Sequence, residues 1–350
     1  MPQQQPRGKL NEKLDIGVMF SFRNPAAWRR PFQEVYADEL RLVQEAERLG
    51  FDTIWLTEHH FADDGYSPSI ITIAAAIAAV TERVRIGFNL LLLPLHNAIR
   101  VAEDIATLDV IANGRIDPGF GQGYAPHEFA GYGIDRAERL SRFLEGLKVL
   151  QGLWSKDTFS HHGRHYQIDA ARLVPKPVQD PMPLWLGATS EAGVARAGRM
   201  GANLLGLASG KLQTIYDEAR QAAGYSPDRA KVLQLHWTHT AASDDEAWEE
   251  AGPHFHHLLS VYGQWAADAG GHQAIPMPPP PPLEQLRDPA QRMMFRPGFG
   301  TAATVAATLN HAVTRMRCTH IATGVLPGMA PDRIRASLER FAGEVAPQLG

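Results

Sequence analysis

The chain has 350 residues, of which 44% are hydrophobic, with 34 basic and 38 acidic side chains and a net charge of −4. This length suits one large α/β barrel or two ordinary domains, and the balanced charge argues against nucleic-acid binding and against attraction to an anionic membrane. The single cysteine, Cys318, excludes an intrachain disulfide and a cysteine-rich metal site. No apolar run reaches the about 20 residues that span a bilayer, and residues 1–13 lack a signal peptide's apolar core, so we expect a cytoplasmic protein.

Residues 1–13 are predicted to be a disordered lead, and 14–350 form one domain in which strand-like runs alternate with helical segments. The predicted strands are Leu14–Phe20, Phe51–Thr57, Val84–Leu91, Arg115–Phe120, Pro183–Ala188, Asn203–Leu207, Val232–His239 and Thr319–Thr323. Eight strands that each lead into a helix predict a (β/α)8 TIM barrel. An open doubly wound sheet is the alternative, but no Gly-x-Gly-x-x-Gly fingerprint follows an early strand, which weakens it.

The helical segments carry start and stop signals. Gly50 ends the predicted helix Tyr36–Leu49, and Asn97 caps the helix that Asn113-Gly114 terminates. A further long helix is predicted from Asp135 to about Leu153, one over Glu191–Met200, and a hairpin over Phe159–Ile168.

About eighty residues separate the seventh strand from the eighth, and they include the proline run Pro278–Pro282. Such a run cannot be helical throughout, so we predict an insertion over about 245–298. An active-site lid and a disordered loop are the two interpretations. We favour the lid, because apolar side chains flank the prolines, namely Trp265, Met293, Met294 and Phe295.

Polar residues follow the second strand directly, in the order Glu58-His59-His60-Phe61. The carboxyl ends of barrel strands are where active sites form, and a histidine there can donate or accept a proton near neutral pH. The alternative is a hydrogen-bonded surface loop.

Two glycine-rich turns end later strands. Gly121-Gln122-Gly123-Tyr124 closes the fourth strand, where the backbone can approach a ligand closely. Gly187-Ala188-Thr189-Ser190 closes the fifth strand and opens a helix, an arrangement that suits an anion such as phosphate. Simple capping of the helix by Thr189 or Ser190 is compatible with that role.

The substrate side is predicted from aromatic residues that follow the first two strands and from a histidine in the seventh. Phe20, Phe22 and Phe61 are candidates for an apolar wall, and His236 shares its face of the strand with Gln234 and Thr238. Each of these side chains has a structural alternative, either a place in the core or a buried histidine.

Several of these motifs, in this order, resemble the bacterial luciferase-like flavin-dependent monooxygenases. The helix–strand–turn segment Leu93–Tyr132, the Glu58–Phe61 segment and the proline-punctuated Pro177–Trp185 carry the resemblance. The resemblance implies a barrel that binds reduced FMN, supplied by a separate flavin reductase, and uses oxygen to oxygenate an organic substrate. It also implies a homodimer. The substrate is expected to be apolar or neutral, because no dense set of arginines is visible at the loops.

The resemblance also implies roles for individual residues. His59 matches the histidine that supports catalysis at the flavin, and Phe88-Asn89 matches the pair behind the flavin ring, often joined by a cis bond. Gln122 stands where the family more often has an arginine near the phosphate. Arg139 on the next helix could supply the missing charge or could equally be an exposed helix residue. The predicted cofactor site consists of Phe88, Asn89, Gln122, Gly123, Tyr124, Arg139 and the turn Gly187–Ser190.

Three rivals stay open. A deazaflavin-dependent dehydrogenase of the same family would transfer hydride without oxygen. A metal-dependent barrel hydrolase could take ligands from His59, His60, Asp63, Asp64 and His96, but the first strand offers no histidine, so no metal site is predicted. A non-catalytic flavin-binding protein is the third, because of Gln122.

Overall fold

The computed structural model describes residues 14–206, 210–270, 279–288, 296–315 and 318–350. Its strands are β1 (Asp15–Phe20), β2 (Thr53–Leu56), β3 (Arg85–Phe88), β4 (Leu91–Leu92), β5 (Ile116–Asp117), β6 (Gly119–Gly121), β7 (Phe159–His162), β8 (Gln167–Ala171), β9 (Trp185–Gly187), β10 (Asn203–Leu205), β11 (Val232–His236), β12 (Thr238–Thr240), β13 (Gly298–Gly300) and β14 (His320–Gly324). Its α-helices are α1 (Phe32–Leu49), α2 (Ile70–Val80), α3 (Ala98–Ile111), α4 (Pro126–Gly131), α5 (Arg139–Ser155), α6 (Glu191–Arg199), α7 (Lys211–Ala222), α8 (Asp244–Asp268), α9 (Leu283–Arg287), α10 (Ala302–Arg315) and α11 (Pro331–Arg340). The predicted lead 1–13 and the flanking residues 293–295 lie outside the described ranges.

Ten parallel strand segments form one curled sheet, in the order β4-β6-β9-β10-β11-β14-β1-β2-β3-β5. The two segments at the ends of this order, β4 and β5, are close in the chain to strands at the opposite end of the order. β4 pairs with β6 and follows β3 in the chain, while β5 pairs with β3 and precedes β6 in the chain. Helices connect the parallel strands, as parallel pairing requires. The α/β class with a parallel sheet is therefore confirmed, and all carboxyl ends of the strands lie on one edge.

Three of the predicted strands are interrupted, each near the carboxyl edge. The third breaks at a cis peptide bond between Asn89 and Leu90. The fourth breaks at Pro118, which has no N–H for the strand ladder. The predicted seventh strand ends at His236, since β12 leaves the large sheet and pairs with β13 instead.

The local signals in the sequence are confirmed. Gly50 ends α1 with a φ of 100°, in the left-handed region that glycine favours. The Asn97 side chain accepts hydrogen bonds from the backbone N–H groups of Ile99 and Arg100 at the start of α3. The predicted hairpin is present as the antiparallel pair β7 and β8.

The predicted insertion begins with helix rather than with loop. Helix α8 starts at the N-cap Ser243, whose side chain accepts from the N–H of Glu246, and it runs for 25 residues with Pro253 inside. Its buried residues include Phe255, Leu258 and Trp265, so one face packs on the domain. Both the insertion over about 245–298 and its role as a lid stay predictions. Within the described ranges, no helix is long and apolar enough to cross a membrane.

Glu39 on α1 is a buried carboxyl group that supports the segment after β1. Its Oε2 accepts a hydrogen bond from the backbone N–H of Phe22 at 3.1 Å. Burial raises the pKa of Glu39 from 4.5 to about 8, because the charged form loses hydration. Between these two pH values the unfolded chain releases a proton that the folded chain retains, so stability falls as the pH rises.

Glu39→Gln removes this titration and keeps an oxygen for the Phe22 N–H. We expect the variant to gain stability over the wild type between pH 5 and pH 8, by on the order of a few kcal/mol, in urea unfolding. Glu34→Gln, an exposed change on the same helix, is the control. A Glu39→Gln difference that does not change with pH would contradict the assignment.

Candidate active site

A cavity of about 740 Å³ lies at the carboxyl edge of the curled sheet. Ten of the residues predicted for catalysis or cofactor binding line it, namely His59, Asn89, Gln122, Gly123, Tyr124, Arg139, Gly187, Ala188, Thr189 and Ser190. Their positions follow from the parallel sheet, which brings the ends of β2, β3, β6 and β9 to the same edge. The size suits a ligand as large as a cofactor.

One part of the cavity is suited to an anion. Thr189 and Ser190 precede α6, and the Ser190 Oγ caps the helix by accepting from the N–H of Gly193 at 3.2 Å. Capping and anion binding are compatible, because the first turn of a helix leaves several N–H groups without partners in the helix.

Two positively charged side chains, Arg136 and Arg139, line the same cavity as the uncharged Gln122. Arg139 Nη1 donates to the carbonyl of Arg136 at 3.2 Å, and Arg136 Nη1 donates to the carbonyl of Tyr124 at 3.2 Å. These backbone contacts fix the two guanidinium groups beside the glycine-rich turn that ends at Tyr124. Both guanidinium groups bond backbone carbonyls, and within the described residues neither forms an ion pair with a carboxylate, so both charges are available to a ligand.

The buried carboxylate of Glu128 orients His59. The Nδ1 atom of His59 lies 2.9 Å from Glu128 Oε1, and the backbone N–H of His60 donates to the same oxygen at 2.9 Å. Oε1 of Glu128 therefore accepts two hydrogen bonds, one from the backbone N–H of His60 and one from the ring of His59. The Nδ1 atom of His59 carries the proton that it donates to this oxygen. The other ring nitrogen, Nε2, is left to exchange protons.

Aromatic rings enclose His59. Its ring centroid lies 4.5 Å from that of Trp265, 4.8 Å from that of Tyr66, 5.9 Å from that of Tyr124 and 6.0 Å from that of Tyr262. The Tyr66 and Tyr262 hydroxyl oxygens are 2.6 Å apart. Burial raises the pKa of both phenols, so both keep their protons at neutral pH.

Glu58 also lines the cavity, but both oxygens of its carboxylate form hydrogen bonds within the protein. Oε1 lies 2.8 Å from His60 Nε2 and 2.6 Å from His96 Nε2, and Oε2 accepts from the N–H of Leu92 at 2.6 Å. Burial alone would raise the pKa of Glu58, but the two imidazoles outweigh it and hold that pKa at about 2. Glu58 is therefore a fixed negative charge beside the cavity.

Five predicted residues do not line the cavity. Phe20, Phe22 and Phe88 are fully buried in the hydrophobic core, where apolar packing and not ligand contact explains them. Phe61 is 62% exposed and packs against Tyr132 on the outer side. His236 lies in β11 outside the cavity wall, and burial lowers its pKa to about 4. The cis bond is one residue later than the resemblance implied, at Asn89–Leu90, and both residues line the cavity.

The ligand set considered for a hydrolase is not assembled. His59 contacts Glu128, and Asp64 forms a buried ion pair with Arg23 at 2.7 Å. The structure instead brings His60 and His96 to Glu58, which the set did not contain.

Several residues that line the cavity or support it were missed from the sequence. Glu128 comes four residues after Tyr124, and Arg136 comes three residues before Arg139, so their spacing to predicted residues offered a signal. Leu90 is adjacent to Asn89. Tyr262 lines the cavity from α8, which is distant in sequence from the other lining residues, and no local sequence pattern predicts its position there.

Glu128→Ala would leave a buried N–H of His60 and the Nδ1–H of His59 without their acceptor. We expect a loss of about 2–4 kcal/mol in the free energy of unfolding, measured with urea at pH 7. Glu128→Gln keeps one acceptor oxygen and should lose less. Glu103→Ala, on the exposed side of α3, is the control. An equal loss of unfolding free energy in Glu103→Ala and Glu128→Ala would show that the hydrogen bonds of Glu128 do not stabilise the fold.

Comparisons with known proteins agree with this geometry. The family model described as luciferase-like monooxygenase matches residues 14–319. The oxygenase component of the flavin-dependent trigonelline monooxygenase of Acinetobacter baylyi is 26% identical over 90% of each chain. The F420-dependent glucose-6-phosphate dehydrogenase of Amycolatopsis mediterranei is 29% identical over 52% of this chain and 56% of its own length.

The fold matches that of a solved flavoenzyme. The oxygenating constituent of the 3,6-diketocamphane monooxygenase of Pseudomonas putida, a type II Baeyer-Villiger enzyme in complex with FMN, superposes with a TM-score of 0.81. The two chains are 21% identical over 97% of this chain and 99% of the other, which shows a shared fold. The family match covers most of the chain, and the chain therefore belongs to the luciferase-like monooxygenase family of oxidoreductases.

Proposed function

We propose that the chain is the oxygenase component of an FMN-dependent monooxygenase with a (β/α)8 barrel. It takes reduced FMN from a separate reductase and oxygenates a small, apolar or neutral organic substrate. The observation that carries the proposal is the fixed orientation of His59 by Glu128, at a cavity that also contains an anion-binding turn and two arginines.

The residues of the cavity fit FMN. Thr189, Ser190 and the first turn of α6 would bind the phosphate, with Arg136 and Arg139 balancing its charge. Gly206 borders free space in the cavity wall. A Cβ atom added there would have only one heavy-atom neighbour within 4 Å, the carbonyl oxygen of Ala188 at 3.7 Å. Asn89 and Leu90 would lie against the ring system.

When bound, reduced FMN supplies the two electrons with which molecular oxygen gives one atom to the substrate and one to water. The chain would contribute proton transfer and exclusion of solvent. His59 Nε2 can hold or move a proton, because Glu128 fixes the proton on Nδ1. The rings of Tyr66, Tyr262 and Trp265 would keep water away from that nitrogen.

The relatives support FMN and a reductase partner. The trigonelline relative is an oxygenase component and aligns over nearly the whole chain, and the 3,6-diketocamphane structure contains FMN. A deazaflavin-dependent dehydrogenase is the second candidate, favoured by the F420-dependent relative, but that match spans only about half of each chain.

The phosphate assignment is tested by comparing FMN with riboflavin. Arg139→Gln should weaken FMN binding by about tenfold and riboflavin binding much less, because only FMN has the phosphate that the charge would pair with. Arg142→Gln, three residues along α5 and outside the cavity, is the matched control. Equal weakening of both flavins in a fluorescence titration would remove Arg139 from the phosphate site.

The role of His59 is tested by measuring how completely oxygen consumption is coupled to product formation. In His59→Ala, reduced FMN should bind within a few-fold of the wild type, while product formed per oxygen consumed should fall by at least tenfold, since a positioned acid–base group contributes about 10²–10⁴. The assay uses an oxygen electrode and the first substrate that turns over in a screen. His162→Ala, exposed on β7, is the control, and unchanged coupling in His59→Ala would refute the role.

A further inference from the structure

Glu58, His60 and His96 form a compact group of metal-ligating side chains behind the candidate active site. One ligand atom from each residue lies within 4.8 Å of the other two, and Oε1 of Glu58 is in hydrogen-bond contact with Nε2 of both histidines. The three residues come from different places in the chain, with Glu58 and His60 after β2 and His96 just before α3. The fold therefore assembles this donor set from two separate segments.

The group is reached from its own side. A second cavity, of about 670 Å³, opens between α2 and α3, and Glu58 and His96 line it together with Ile70, Leu91 and Arg100. His96 does not line the cavity that contains His59. A small ion with its water could thus enter the group without passing through the proposed flavin site.

The distances suit a small tetrahedral ion after a slight opening. Zinc binds imidazole nitrogen and carboxylate oxygen at about 2.0–2.2 Å, which places neighbouring donors about 3.3 Å apart. The oxygen–nitrogen separations here are 2.6 Å and 2.8 Å. A widening of roughly 0.5–0.7 Å would accommodate the ion, and water from the second cavity would take the fourth position.

Further contacts hold the donors in the orientation that a metal requires. The Tyr132 hydroxyl lies 3.1 Å from Nδ1 of His60, and its oxygen can accept a hydrogen bond from the Nδ1–H group once Nε2 binds an ion. The backbone N–H of Leu92 fixes the other oxygen of Glu58. Such outer contacts orient ligands in metal sites.

We propose that Glu58, His60 and His96 bind one divalent ion of the zinc class. Two imidazole nitrogens and one carboxylate oxygen favour Zn²⁺ or Co²⁺ over Mg²⁺ and Ca²⁺, which prefer oxygen ligands. The ion would tie the end of β2 to the start of α3 and fix Glu58 beside the flavin cavity. It would take no part in the reaction.

The test is a titration of chelator-treated, full-length protein with ZnCl₂ in competition with a chromophoric chelator. The wild type should bind one equivalent. His96→Gln should bind at least 100-fold more weakly, because the loss of a ligand exceeds the about 10–100-fold cost of losing an outer contact. Tyr132→Phe, which loses only that outer contact, should bind about tenfold more weakly.

His96→Gln separates metal binding from hydrogen bonding, because the glutamine amide can still donate to Glu58 but is a poor zinc ligand. His162→Gln, on an exposed histidine, is the control for adventitious binding and should match the wild type. No stoichiometric binding by the wild type, or equal binding by the wild type and His96→Gln, would overturn the proposal.

Discussion

The hydrogen bonds to the buried carboxylate of Glu128 are the interaction on which the site depends. One oxygen accepts from the ring of His59 and from the backbone of His60, so the end of β2 is tied to helix α4. A carboxylate with no exposure to water is costly unless such donors compensate it. The hydrogen bond to Oε1 therefore fixes the tautomer of His59, whose ring lies among four aromatic rings.

The residues that follow β2, β3, β6 and β9 line the cavity, because the parallel sheet brings the carboxyl ends of these strands to one edge. Two buried carboxylates bond the adjacent histidines after β2, Glu128 the ring of His59 and Glu58 the ring of His60.

The sequence predicted the parts of the structure that local chemistry determines. Periodicity and caps located most helices and strands, and the residues that follow strands β2, β6 and β9 line the cavity as expected. The aromatic residues were harder to place. The side chains of Phe20, Phe22 and Phe61 are apolar enough for a substrate wall, but the same apolar character also suits the hydrophobic core. Only packing decides that Phe20 and Phe22 are core and that Phe61 faces outward. Tyr262 and the role of Glu128 depend on contacts between distant segments, which no local pattern encodes.

The most direct test of the central claim is an anaerobic titration with reduced FMN and, in parallel, with reduced F420, followed by mixing with oxygen in a stopped-flow spectrophotometer. The account predicts saturable binding of reduced FMN and its reoxidation by oxygen on the protein. Saturable binding of F420 with none of reduced FMN would contradict the monooxygenase proposal and establish the deazaflavin alternative.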